Sequence, residues 1–185
     1  MTNAILNRYA LGIVEFTSIP IGYRITNEML KTIGVYYFVD ILAAKSKYVA
    51  LIMDKYEKVE HALDYAIGKE DNSILDIALI GNVHEDLQLF INKENNISLD
   101  SIIDLGVIKT ETFSSCIENA NQILHFVNVS LIDINYSDSL YGDCLITFHG
   151  NTSNVQAALD KVGMGELISK PDKKLLERIL RSEQR

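Results

Sequence analysis

Residues 11–68 of this chain are echoed by residues 105–162, so the sequence must be compatible with folding the same way twice. Leu11, Gly12, Asn27, Leu30 and Val35 recur as Leu105, Gly106, Asn121, Leu124 and Val129, each 94 residues further on. Towards the end of each copy the spacing becomes 96, where Val59, Ala62, Leu63 and Asp64 recur as Val155, Ala158, Leu159 and Asp160. Two extra residues in one copy mean one loop of different length, between the second strand and the second helix. Between the identities apolar residues answer apolar ones: Ile13 and Val107, Val14 and Ile108, Met29 and Ile123, Ile33 and Val127, Phe38 and Ile132. Such a pattern keeps a core while the surface drifts. The period is longer than that of a solenoid and equals one small domain. Two domains are therefore expected, 1–96 and 97–185, each gaining from packing on its neighbour or on partner chains.

Within each copy the periodicities give an order of elements. Tyr9–Thr17 is rich in strand formers. Pro20 and Gly22 mark a turn before Ile25, Met29 and Ile33 recur at helical spacing, and Gly34 is a plausible helix cap. Residues 35–42 form a dense β-branched and aromatic run that reads as a buried strand. A strand over 48–53, a helix over 55–67, a strand over 74–80 and a short helix over 84–91 follow, and the polar run 92–98 reads as the linker. The second copy repeats this with strands over 102–110, 129–136 and 143–149, helices over 115–127 and 152–162, and a short strand over 166–169. Pro171 then opens a C-terminal helix. The fold class is α+β: βαββαβ twice, a ferredoxin-like variant with helices packed on antiparallel sheets.

Bulk properties exclude several functions. A hydrophobic content of 48% with 23% charged residues fits a folded chain and excludes wholesale disorder. The formal net charge of −8 disfavours nucleic acid and anionic membranes as partners, since both reward basic surfaces. Apolar runs fall short of a membrane span, and Met1–Arg8 lacks a secretion pattern, so the expected location is the cytoplasm. Cys116 and Cys144 are then expected as reduced thiols. The histidines 61, 84, 125 and 149 show no metal-ligand spacing, and no glycine-rich phosphate loop occurs. Glu15 has Lys109 as its repeat partner and no nucleophile or second carboxylate beside it. No enzyme is expected.

The stretch Ala10-Leu-Gly-Ile-Val-Glu15, then Thr17-Ser-Ile-Pro-Ile-Gly22 and Asn27-Glu-Met-Leu-Lys-Thr-Ile-Gly-Val35, resembles the opening of a bacterial microcompartment shell domain. In tandem it resembles the trimeric, two-domain shell proteins, and the propanediol-utilisation type above all, as does Asn82-Val-His84 before a short helix. The resemblance spans about Tyr9 to Leu180. It implies a structural shell protein of the bacterial cytoplasm. It also implies a homotrimer imitating a hexamer, packed edge to edge with other shell proteins around encapsulated enzymes, with a pore for small metabolites.

The resemblance also assigns residues. The loop between the second and third strands would face a central pore, placing Ala43, Ala44, Lys45 and Ser46 there from the first domain and Asp138, Ser139 and Leu140 from the second. On sequence alone the commoner reading of Lys45 and Lys47 is as exposed hairpin residues, and the resemblance brings the pore reading level with it. Lys31 corresponds to a tile-edge lysine, though a lysine near a helix C-terminus is routine. His125 is its repeat partner, and Asn82, His84 and Pro171 lie in segments that approach the edge. The chain departs from the family there, with Ser169-Lys170-Pro171-Asp172. Some propanediol-utilisation members hold an iron–sulfur cluster on a pore-loop cysteine, a position that falls on Ala44 here, which removes the thiolate. No cofactor or metal is expected; Cys116, at a helix start, is more simply a packed side chain than a ligand. The competing function is a small-molecule-sensing regulator of tandem ferredoxin-like domains.

Overall fold

The computed structural model describes residues 9–43, 46–69, 72–91, 98–136, 140 and 142–181. Their order is β1 (Tyr9–Phe16), α1 (Ile19–Ile33), β2 (Tyr37–Ala43), β3 (Lys47–Lys55), α2 (Tyr56–Ile67), β4 (Ile74–Ile80) and α3 (Glu85–Ile91). After a 3-10 turn at Leu99–Ser101 come β5 (Asp104–Thr110), α4 (Phe113–Phe126), β6 (Ser130–Asn135), β7 (Cys144–Gly150), α5 (Thr152–Val162), β8 (Glu166–Ser169) and α6 (Lys173–Arg181). Two four-stranded sheets result, in the orders β2-β3-β1-β4 and β6-β7-β5-β8, each antiparallel throughout. These orders are the same under the repeat. The linker residues 92–97 lie outside the described residues.

Contacts group the chain into two units that do not follow the sequence order. The first comprises Met1–Val83, Glu111–Glu118 and Tyr136–Asp143; the second comprises His84–Thr110, Asn119–Asn135 and Cys144–Arg185. In the first unit α1 and α2 cover one face of the sheet, where Ala10, Val14, Ile25, Met29, Tyr48, Ile52, Val59 and Leu63 form the core. Gly12 lets the layers approach there, because a Cβ would come within 2.6 Å of Val59 Cγ1 on α2. In the second unit α5 packs on β5, β7 and β8. On the opposite face, Leu176 of α6 joins Leu105 and Ile132.

Three expectations change. Pro20 and Gly22 do not form a turn before the helix but lie in the first turns of α1. Proline is tolerated there because the first helical N–H groups have no intrahelical acceptor. Residues 35–42 do not form a buried strand: β2 is an edge strand, paired only with β3, and Val39 and Leu42 are 38% and 56% exposed. The C-terminal helix opens at Lys173 rather than Pro171, with Asp172 Oδ1 accepting the Lys174 N–H as its cap. The two cysteines also differ from expectation. Cys116 and Cys144 are fully buried and disulfide-bonded rather than reduced; the expectation of thiols rests on compartment, and cysteine spacing carries no connectivity.

Candidate functional site

The first unit contains a buried charged cluster. Glu15, next to the end of β1, has no solvent exposure. Its carboxylate accepts the Phe113 N–H at 2.8 Å and the Tyr136 hydroxyl at 2.6 Å. Lys47 Nζ stands 3.2 Å from the same carboxylate and donates to the carbonyls of Gly142 at 2.9 Å and Glu111 at 3.1 Å. Strand register explains the pairing. Glu15 lies opposite Val49, two residues from Lys47, so both side chains leave one face of the sheet. An ion pair inside a protein is sustained only when its remaining hydrogen-bonding capacity is filled, and here it is.

Lys47 is 13% exposed, so it is not an exposed hairpin residue; it begins β3 rather than tipping the loop. Burial, and then the hydrogen bond to Glu15, push the Tyr136 phenol well above its usual range, so it remains a donor at neutral pH. Beside the cluster, Thr112 Oγ1 donates to Asp76, which lies opposite Glu15 on β4, and accepts the Ser115 N–H at the start of α4. Segments 111–118 and 136–143 are thus tied to β1 and β3 by charge-assisted hydrogen bonds.

The second unit brings together two residues assigned to the edge. His84 and His125 meet edge-on with centroids 5.0 Å apart. The His84 N–H donates to Asn121 Oδ1 at 2.8 Å, and its Nδ1 accepts the Asp86 N–H, capping α3. Lys31 is exposed in the last turn of α1, Asn82 is exposed in the turn after β4, and Pro171 is half-buried before α6. Of the loop residues, Ala43 ends β2, Ser46 is exposed with φ 61°, and the Leu140 carbonyl accepts the Asp143 N–H. Ala44, Lys45, Asp138 and Ser139 lie outside the described residues.

Two histidines of the second unit titrate low. Burial holds His149 below its usual pKa. Burial also lowers His84, opposed by Asp86 and reinforced by His125. A histidine kept neutral by the fold binds protons more readily when unfolded. Its stabilisation is therefore full above the unfolded pKa of about 6.5 and is lost as pH falls through that value towards the folded pKa. The urea midpoint is expected to fall between about pH 7 and pH 5.5, and His149→Gln to reduce that slope; an unchanged slope in the variant would count against this assignment.

Residues 104–171 match the BMC domain family model. The bacterial microcompartment shell protein PduT of Citrobacter freundii is 25% identical over 150 residues, covering 81% of this chain and 80% of that protein. A microcompartment protein from Desulfitobacterium hafniense superposes with a TM-score of 0.77 at 22% identity, over 92% of this chain and 99% of that one. The double-ringed trimeric shell protein MSM0271 of the RMM microcompartment superposes at 0.59 with 15% identity, over 84% and 80%.

Proposed function

We propose that this chain is a BMC-domain shell protein, on the family-model match over residues 104–171 and its likeness to PduT, and that three copies close into a flat, pseudo-hexameric tile. Its role is structural rather than enzymatic, in a shell within the bacterial cytoplasm. The observation that carries the trimer is the duplication itself: two four-stranded sheets of identical strand order in one chain. Near-equivalent repeats let a threefold ring imitate sixfold closure through heterologous contacts. Such tiles pack edge to edge with other shell proteins around enclosed enzymes, with Lys31, Asn82, His84, His125 and Pro171 towards the edges.

The β2–β3 and β6–β7 loops line a central pore in this arrangement. Ala43, Ala44, Lys45 and Ser46 then alternate with Asp138, Ser139 and Leu140 around the axis, so cationic and anionic side chains share one opening for small metabolites. An iron–sulfur cluster does not fit this chain: it needs thiolates, alanine stands at position 44, and both cysteines are buried and disulfide-bonded. Electron microscopy of the purified protein at high concentration should show flat sheets or tubes of tiles. Particles that never associate laterally, alone or mixed with other shell proteins, would overturn the tile.

A further inference from the structure

The two repeats cap one helix with different chemistry. Strand register matches the helices, because Leu79 faces Gly12 as Leu167 faces Gly106, which sets α3 against α6 and His84 against Asp172. Asp172 Oδ1 accepts the Lys174 N–H at 2.8 Å, and His84 Nδ1 accepts the Asp86 N–H at 3.2 Å. A carboxylate stays an acceptor throughout the range in which an imidazole titrates. An imidazole accepts at Nδ1 only while that nitrogen carries no proton, so protonation turns two donors towards each other and removes the cap.

Much of the hold on α3 passes through this corner. The His84 N–H donates to Asn121 Oδ1 at 2.8 Å, and the His84 carbonyl accepts the Gln88 N–H at 3.0 Å. At seven residues α3 is too short to keep helical form by itself. It depends on that corner and on packing against β6, with Leu87 and Gln88 buried on the helix and Leu131–Ile134 buried on the strand. Burial keeps the docked His84 ring neutral. Asp86 and Glu85 on α3 oppose this, and His125 on α4, whose ring meets that of His84 with centroids 5.0 Å apart, reinforces it. Asp133 is the titratable residue of the β6 stretch.

We propose that α3 is an acid-released flap: protonation of His84 breaks the cap, sets its charge against His125 and frees α3 from β6, while α6, capped by Asp172, stays docked on Leu105 and Ile132. The docked helix excludes the proton, whereas the released one takes it up at an ordinary histidine pKa of about 6.5. Release is therefore suppressed above that value and grows as pH falls through it. Between pH 7.5 and 5.5 one histidine can raise the opening constant by at most about tenfold.

Amide hydrogen exchange of the purified full-length chain tests the flap, with rates corrected for the pH dependence of exchange itself. Protection of the α3 amides should fall by about five- to tenfold from pH 7.5 to pH 5.5 while the α6 amides keep theirs. His84→Asn retains a capping acceptor that does not titrate and should leave α3 equally protected at both pH values. His125→Gln removes the opposing ring and should give a smaller fall than wild type. The flap would be overturned by α3 protection that holds at pH 5.5 in wild type, that falls as far in His84→Asn, or that falls together with α6.

Discussion

Replacing Glu15 with alanine is expected to cost about 3–5 kcal/mol of stability. The loss is not that of one attraction. Among the described residues it strands the Lys47 ammonium, 13% exposed, with the carbonyls of Glu111 and Gly142 as acceptors and no counter-charge. It also leaves the Phe113 N–H and the Tyr136 hydroxyl without their acceptor. Removing both charges in Glu15→Leu with Lys47→Met should recover part of the loss, because no ammonium is then stranded, while the Phe113 N–H and the Tyr136 hydroxyl stay without their acceptor. Urea unfolding of the single and double variants measures both quantities. A Glu15→Ala loss under about 1 kcal/mol would place the pair among ordinary surface ion pairs.

Gly106→Ala should be nearly as damaging, with about 1–3 kcal/mol lost to overpacking and a fall in Tm of about 4–10 °C. A Cβ at Gly106 falls onto three atoms of the Phe148 ring, which is fully buried. Gly12 occupies the same place in the first repeat but faces the aliphatic tips of Val59 and Ile52 at 2.6 and 2.9 Å, which shift more cheaply. Gly12→Ala is therefore expected to cost less than Gly106→Ala. Phe148→Leu in the Gly106→Ala background should restore part of the melting temperature; equal losses at the two glycines would refute the ring as the cause.

The ease with which these elements could be read differs from one to the next for physical reasons. The strand over 74–80 and the helix over 152–162 coincide with β4 and α5, since local periodicity, an Asn151 cap and Gly163 in the left-handed region mark them within a few residues. Residues 35–42 misled because apolar content signals strand and burial together, whereas an edge position depends on which strand lies beside it. Lys47 misled for a similar reason. Its burial depends on segments 111–118 and 136–143, far along the chain, closing on β1. One signal was already in the sequence: the repeat pairs Glu15 with Lys109 and Lys47 with Asp143, an exchange of sign at two matched positions. His84 and His125, assigned to edges separately, meet only because α3 groups with the second unit.

The shell-tile account turns on how many chains associate. Sedimentation equilibrium of the purified protein should give three times the chain mass of 20.8 kDa, unchanged on dilution across the micromolar range. A stable species of one chain mass under the same conditions would contradict the account.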